Sequence, residues 1–243
     1  MSQASATPAI SAVGVAKRYG SRTALHGIDL EVSRGEIVCV LGPNGAGKST
    51  LLRILATILL PDAGDVLVDG VDALRDPLRA RRSIGFAMTE ERSWYWRLTG
   101  RQNLAFFAAL SRLERREAAR RVDDLLREFA LGDTADRLFQ TYSTGMRARL
   151  SLARAFLSDP AVVLLDEPTR SVDPLVAGRF RRDLLEAVAR RRMGVVLATH
   201  DLHEAATVAS RVLILSQGRV VATTDAGLSA LELEARLAGA VEA

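Results

Sequence analysis

Residues 42–49 read "GPNGAGKS", and this stretch decides the fold. It fits the pattern G-x-x-x-x-G-K-[ST] at every defined place. The apolar segment "EIVCVLG" leads into it and favours a buried strand, while a helical pattern runs from about Lys48 to Ile58. Glycines at the start of a helix let backbone N–H groups surround a phosphate, and the helix N-terminus adds partial positive charge. The stretch therefore predicts a phosphate-binding loop.

Two residues of this loop have specific chemical roles. We expect the Lys48 ammonium to reach the β- and γ-phosphates of a nucleotide, and the Ser49 hydroxyl to bind Mg²⁺. Only two of the 33 Lys and Arg residues are lysine, so a lysine at position 48 is unusual in this arginine-rich chain. The other residues expected to contact the nucleotide build the loop itself: Gly42, Pro43, Asn44, Gly45, Ala46, Gly47 and Thr50.

An acidic motif follows a second apolar segment, "VVLLDEP". Asp166, at the predicted end of this strand, can hold Mg²⁺, and Glu167 can accept a proton from an attacking water. An Asp-Glu pair after a strand is weak evidence by itself, because such loops are commonly just polar. Together with the phosphate-binding loop, it becomes strong evidence for a nucleotide site.

The composition limits the class of protein. The chain has 243 residues, of which 48% are hydrophobic and 26% charged, as in a globular protein with a sizeable core. The longest apolar stretch, "ILATILL", is too short to span a bilayer, and we expect no signal peptide. Cys39 is the only cysteine, which excludes an internal disulfide and a cysteine-rich metal site. We expect one domain, residues 1–243, in the cytoplasm.

The order of the predicted elements indicates the fold class. The N-terminal part predicts two or three antiparallel strands, with turns at Gly20-Ser21 and Arg34-Gly35. Residues 101–129 are helical and polar, and their mixed charges favour a solvated helix face over nucleic-acid binding. Strands and helices alternate elsewhere, with helices predicted at 174–191, 201–208 and 226–238. This pattern predicts an α/β fold whose site lies at the carboxyl ends of the strands.

The segment "YSTGMRARLSLARAF" lies between the two motifs and resembles a known family. "STGM", which begins at Ser143 and includes Gly145, stands where nucleotide-binding subunits of ATP-binding cassette (ABC) transporters have an S-G-G-Q signature. "DEPTRSVDP" is similar to the Walker B and D-loop motifs of that family, with Asp173 as the D-loop aspartate. His200 in "LATHDLHEA" resembles the switch histidine, and Tyr19 in "KRYG" resembles the aromatic residue that stacks on adenine. The resemblance covers essentially the whole chain.

The resemblance implies a fold and a function. The implied fold is that of a P-loop ABC ATPase, with a mixed or parallel core sheet, an N-terminal antiparallel β subdomain and a helical subdomain inserted at about 90–158. The implied activity is ATP hydrolysis with Mg²⁺, in which Glu167, His200 and Lys48 are the catalytic residues. Each ATP would lie between the phosphate-binding loop of one subunit and the Ser143 signature of the other, in a head-to-tail homodimer or a pair with another ABC ATPase.

The resemblance also implies a partner and a location. An ATPase of this kind drives a separate integral-membrane permease and lies peripherally on the cytoplasmic face of the inner membrane. The segment "RLTGRQNLAFFAAL" resembles exporters of drugs, polysaccharides or lipids more than importers. The alternative is a soluble ABC ATPase that acts on nucleic acid or ribosomes. A single cassette with one cysteine argues against it, and we expect no nucleic-acid partner.

The chain departs from the family pattern in three places. One is the D-loop, where Arg170-Ser171-Val172 stands in place of the commoner Ser-Gly-Leu. The signature lacks one glycine and the glutamine, since it reads Thr144-Gly145-Met146. The segment "SIGFAMTEERS" lacks the usual Q-loop glutamine, and Thr89 or Glu90 stands near its position. Glu90 is the favoured metal contact in its place, although Glu91 could substitute or the site could run without either.

Three consecutive aromatic residues follow the Q-loop position: Trp94, Tyr95 and Trp96. In the family, this neighbourhood receives a short cytoplasmic helix of the permease. Three adjacent residues on a helix cannot all face inward, so at least one should be exposed. The resemblance therefore implies permease docking near this triplet, and the competing interpretation places the aromatic residues in the core of the helical subdomain.

Overall fold

The computed structural model describes residues 7–88, 94–111, 113–170 and 172–242. Its strands, in chain order, are β1 (Ile10–Tyr19), β2 (Arg22–Val32), β3 (Ile37–Leu41), β4 (Ala63–Val68), β5 (Val71–Asp72), β6 (Ile84–Met88), β7 (Val162–Asp166), β8 (Gly194–Thr199), β9 (Arg211–Ser216) and β10 (Arg219–Asp225). Its helices are α1 (Lys48–Leu55), α2 (Pro77–Ala80), α3 (Gly100–Leu110), α4 (Arg115–Glu128), α5 (Thr144–Ala155), α6 (Pro174–Arg191), α7 (Leu202–Val208) and α8 (Ala230–Glu242).

The first sheet is antiparallel and has the strand order β2-β1-β4-β5. Strand β1 buries Ile10, Ala12 and Val15, so one face of the sheet joins the core. The predicted turn at Gly20-Ser21 connects β1 to β2, and Arg34-Gly35 forms a turn before β3. The N-terminal antiparallel prediction is therefore confirmed.

The second sheet carries the site and has the order β10-β9-β3-β8-β7-β6. Its neighbours are parallel, except that β10 runs antiparallel to β9 at the edge. Every residue of β3, β7 and β8 is buried, because helices or the first sheet cover both faces. Cys39 lies in β3 as a buried free thiol. The predicted mixed core sheet is confirmed.

Three helix predictions differ from the structure. Helix α1 stops at Leu55 rather than near Ile58, because Thr57 adopts the left-handed conformation, with φ of 58°. The stretch predicted as helical, 101–129, forms two separate helices, α3 and α4. The last helix begins at Ala230, four residues later than the predicted 226. By contrast, α6 spans the predicted 174–191.

Helices α3, α4 and α5 are inserted between β6 and β7. Their shared core contains Val122, Leu125 and Leu126 of α4, together with Phe129. This arrangement agrees with an inserted helical subdomain. The bounds predicted for that subdomain, 90–158, and for a single domain, 1–243, stay predictions.

Candidate functional site

The site residues meet at one edge of the second sheet. Lys48 and Ser49 begin the helix that follows β3, Asp166 ends β7, and His200 follows β8. These three strands are neighbours in the order β3-β8-β7, and they are parallel. Their carboxyl ends therefore bring residues that are far apart in sequence to the same place.

The phosphate-binding loop needs glycine because other backbone lies very close to it. A Cβ at Gly42 would lie 2.1 Å from the Leu215 carbonyl oxygen. Gly47 has a φ of +111°, and a Cβ there would lie 2.8 Å from the Ala24 carbonyl oxygen. Side chains at either position would distort the turn that leads into α1. The loop thus has the compact backbone that a phosphate cradle requires.

Lys48 is held inside its own loop. Its Nζ donates hydrogen bonds to the carbonyl oxygens of Gly42, at 2.6 Å, and Pro43, at 3.2 Å. It also forms an ion pair with Glu167 at 3.4 Å, and the side chain is only 6% exposed. The ammonium is therefore fixed over the loop, in position to contact a bound phosphate.

Ser49 and Asp166 form an oxygen pair suited to Mg²⁺. The Ser49 hydroxyl donates to Asp166 Oδ1 at 3.0 Å, which links α1 to the end of β7. Burial raises the pKa of the Asp166 carboxyl; the Ser49 hydrogen bond opposes this shift, and the nearby Glu167 charge adds to it. A bound cation would stabilise this buried carboxylate. Mg²⁺ takes hard oxygen ligands and often only one or two carboxylates, because phosphates and water complete its shell.

A larger protein cage for a metal is absent from the described ranges, where no group of three His, Cys, Asp or Glu side chains could hold an ion. Glu90, the predicted third metal contact, and Thr89 lie outside the described residues.

Glu167 and His200 form a close pair beside the loop. Glu167 Oε2 lies 2.5 Å from His200 Nδ1. Glu167 is in the left-handed region, with φ of 52°, and its N–H donates to the Ala198 carbonyl at 2.9 Å. A non-glycine residue in this conformation costs about 1 kcal/mol or more, and such strain concentrates at functional sites. The strained backbone aims the carboxylate at the cleft above Lys48.

A cleft of about 400 Å³ opens over the loop. Tyr19 lines it from the end of β1 and is 48% exposed, which leaves its ring available for stacking. Two arginines that sequence reasoning missed also line the cleft, Arg22 and Arg170. Arg22 donates to the Gly45 carbonyl at 3.5 Å. The sequence signal for these two arginines was that they lie close to Tyr19 and Asp166 in the chain.

The signature residues lie elsewhere. Ser143 caps α5, and its hydroxyl accepts from the Met146 N–H at 3.3 Å. Gly145 is buried, and a Cβ there would lie 2.3 Å from Val176 Cγ1, so this glycine lets α5 pack closely on α6. None of the residues that line the Lys48 cleft within the described ranges comes from this segment. The nucleotide roles predicted for Ser143 and Gly145 therefore stay predictions.

Asp173 also has a local structural role. It caps α6, and its carboxylate accepts from the Leu175 N–H at 2.9 Å. Like Ser143, it is absent from the described lining of the Lys48 cleft. A contact with nucleotide remains a prediction for this residue.

The aromatic triplet divides between core and surface. Trp94 is 6% exposed and stacks on Phe139 with ring centroids 5.1 Å apart. Tyr95 and Trp96 are 48% and 40% exposed. The Arg147 guanidinium of α5 lies 4.7 Å from the Trp96 ring centre. The prediction that at least one of the three is exposed is confirmed, although the triplet lies before α3 and not on a helix as expected. Trp94 belongs to the core, as the competing interpretation proposed.

The helices of the described ranges lack the combination of length and apolar character that crossing a bilayer requires.

Comparisons with known proteins agree with the nucleotide site that this geometry indicates. The sequence profile of a family described as ABC transporter matches residues 25–170. The daunorubicin resistance ATP-binding protein DrrA3 of Streptomyces coeruleorubidus is 43% identical over 242 residues, which cover 96% of this chain and 72% of that protein. The chain spans 66% of the length of the similar Streptomyces peucetius protein DrrA.

Solved structures resemble the whole described fold. An ATP-binding subunit of an ABC transporter has a TM-score of 0.81 and 30% identity, and the match covers 96% of this chain and all (100%) of that one. A bacterial ABC transporter cassette solved as a dimer has a TM-score of 0.80 and 25% identity, with 90% of this chain and 99% of that one covered.

Proposed function

The chain belongs to the ABC transporter family, and we propose that it pairs head to tail with a second cassette and drives export through a membrane permease. It is the ATP-binding and ATP-hydrolysing subunit of such a system. The partner cassette, the cargo and the location form the proposal.

The separation of the two halves of the site carries this proposal. Lys48, Glu167 and Tyr19 line one cleft, whereas Ser143 begins a different helix and does not line it within the described residues. A helix N-terminus with a serine cap offers a hydroxyl, backbone N–H groups and partial positive charge to an anion. In a pair related by a two-fold axis, each copy would present this helix to the cleft of the other, so the same contact would form twice.

The chain's own residues then divide the work of hydrolysis. Lys48 binds and orients the triphosphate, and Tyr19 stacks on its base. Mg²⁺, held by Ser49 and Asp166, would neutralise charge that develops on the phosphate oxygens. Glu167 accepts a proton from the attacking water, and His200, paired with its carboxylate, contacts the γ-phosphate. The strained position of Glu167 favours a catalytic role over a purely structural one.

The relatives support a drug as the exported cargo. The printed names of the Streptomyces proteins refer to daunorubicin and doxorubicin resistance, and the first of them is 43% identical to this chain. They do not favour the alternative of an ATPase that acts on nucleic acid or ribosomes. As part of a transporter, the chain would lie peripherally at the cytoplasmic face of the inner membrane.

Tyr95 and Trp96 are the proposed contact with the permease. Their half-exposed rings directly follow the buried Trp94, which anchors the segment to the helical core. Aromatic residues that combine a fixed backbone with exposed area are enriched at interface centres. Asn103 Oδ1 accepts from the Tyr95 N–H at 3.0 Å, and its amide donates to the Tyr95 carbonyl at 3.1 Å. These contacts fix the backbone from which both rings project.

A mixing experiment tests the head-to-tail pair. Lys48→Ala removes function from the phosphate-binding loop, whereas Ser143→Asp keeps a good helix cap and places a negative charge against the triphosphate. Each variant alone should hydrolyse ATP very slowly. In a 1:1 mixture, half of the dimers contain one intact composite site of two, so we expect about a quarter of wild-type activity.

The measurement is the steady-state ATPase rate of each variant and of the mixture, after co-expression or subunit exchange. A mixture no faster than the mean of its components would place the complete site within a single chain and contradict the proposal. The control is a mixture of wild type with the double variant Lys48→Ala/Ser143→Asp. Each heterodimer in that mixture has one altered residue in each of its two sites, so neither of its sites is intact.

A second experiment tests the docking surface. The variant Tyr95→Ala/Trp96→Ala should lose most capture of the co-expressed permease, because two half-exposed rings would leave the interface. Its ATP hydrolysis without permease and its melting temperature should change little. Leu231→Ala, which removes a side chain that is 75% exposed on α8, is the matched control. Undiminished capture by the double variant would remove the triplet from the interface.

A further inference from the structure

Glu204 is a buried acidic residue that the functions described so far do not use. It lies in α7, directly after the segment that carries His200, and is 1% exposed. The Asp201 side chain caps this helix and accepts from the Glu204 N–H at 3.1 Å. Acidic side chains are almost never fully buried unless they have partners. A carboxyl group in this place therefore calls for a specific reason.

The contacts of Glu204 connect two catalytic segments. Its Oε1 accepts a hydrogen bond from the Thr169 hydroxyl at 2.8 Å. Thr169 is itself buried and lies two residues after Glu167. On the other side, Asp201 directly follows His200: its carboxylate accepts from the Glu204 N–H at 3.1 Å, and its own N–H donates to the buried Thr199 hydroxyl at 3.0 Å. Glu204 thus lies between the strand ends that carry Glu167 and His200.

Burial of the Glu204 carboxyl costs free energy, so this side chain is a poor choice if its role is only to fill space. Burial raises the pKa of Glu204, and the hydrogen bond from Thr169 only partly opposes this shift. Its second oxygen, Oε2, has no hydrogen-bond partner in the described ranges. Leaving a buried polar atom unsatisfied costs about 1–3 kcal/mol. An apolar side chain of similar size would fill the space without this cost.

We propose that Glu204 is a positioning residue for ATP hydrolysis: from α7, which Asp201 caps directly after His200, it holds the Glu167 segment at a fixed separation from His200 through its bond to Thr169. The inference depends on the proposed roles of Glu167 and His200. The pair of Glu167 Oε2 and His200 Nδ1, 2.5 Å apart, lies on the cleft side of these segments, and the Glu204 contacts support them from the buried side. Loss of the support would let the two catalytic groups separate without removing either.

Thr169→Val is the most direct test, because valine has nearly the shape of threonine and lacks the hydroxyl. We expect kcat for ATP hydrolysis to fall about 10-fold to 10²-fold, as misplacement of a catalytic group does. KM and the affinity for ATP should stay within about 2-fold, since Lys48 and its loop are untouched. Thr169→Ser, which restores the hydroxyl, should restore most of kcat.

Three further variants separate positioning from general destabilisation: Thr224→Val, Glu204→Leu and the double variant Thr169→Val/Glu204→Leu. Thr224→Val removes a buried hydroxyl from β10, away from the site, and should leave kcat unchanged. Thr169→Val and Glu204→Leu both break the same bond, so the double variant should lose no more activity than the worse single variant. Melting temperatures of all variants are measured in parallel, so that kcat is compared among folded proteins.

The outcomes distinguish this inference from the function on which it depends. If Thr169→Val keeps full kcat while Glu167→Gln abolishes hydrolysis, the positioning role of Glu204 is wrong and the assignment of the base stands. If Glu167→Gln keeps full activity, the proposed catalytic role itself fails. A loss in Thr169→Val that Thr169→Ser does not restore would also overturn the inference.

Discussion

Lys48→Ala is expected to abolish measurable nucleotide binding. The ammonium is fixed by the carbonyl oxygens of Gly42 and Pro43, so it binds phosphate with little loss of side-chain freedom. Hydrogen bonds to charged groups contribute about 1.5–3 kcal/mol each. Loss of the two expected contacts between the Lys48 ammonium and the β- and γ-phosphates therefore weakens ATP affinity by about 10²-fold or more. Titration with a fluorescent ATP analogue measures the effect directly.

The matched control for this change is Arg34→Ala. It also removes a cation, but Arg34 pairs with Asp69 on the surface at 2.5 Å and does not line the Lys48 cleft. Its ATP affinity should equal that of the wild type. Binding by Lys48→Ala at wild-type affinity would show that the nucleotide lies elsewhere.

Glu167→Gln is expected to slow hydrolysis by about 10²-fold to 10⁴-fold, the usual contribution of a general base. Glutamine keeps the volume of the side chain and can still hydrogen-bond His200, but it accepts a proton poorly. ATP binding should persist, so the variant should accumulate as an ATP-bound dimer. The phosphate release rate measures the first effect, and light scattering after size exclusion in the presence of ATP measures the second.

Glu117→Gln makes the same chemical change on the exposed surface of α4 and is the control. It should hydrolyse ATP at the wild-type rate and dissociate as ATP is consumed. Normal hydrolysis by Glu167→Gln would remove Glu167 from the role of base. A variant that is inactive but stays monomeric with ATP would instead contradict the dimer.

The parts of the site that were predictable from sequence are those encoded by contiguous residues. The phosphate-binding loop is one stretch between a strand and a helix, and its glycines fit the close backbone approach found at Gly42 and Gly47. Asp166 and His200 each follow an apolar strand. Because parallel strands end at one edge, sequence order alone was enough to place both near Lys48.

The parts that could not be predicted depend on contacts between distant residues. Nothing in the local sequence specifies the left-handed backbone of Glu167, which its bond to Ala198 in the neighbouring strand helps to hold. The packing of Gly145 against Val176 requires knowledge of how α5 crosses α6. The burial of Trp94 but not of its neighbours likewise depends on where Phe139 lies. Periodicity does not contain this information.

The placement of Trp94 and Trp96 gives the chain an optical reporter of its own. They are the chain's only two tryptophans, so its indole emission comes solely from the junction where the aromatic triplet meets helix α5. One ring is enclosed among phenylalanines, and the other lies beneath a guanidinium at the boundary with water. The two environments are distinct, and the emission spectrum of the unlabelled wild-type protein therefore records the state of this junction.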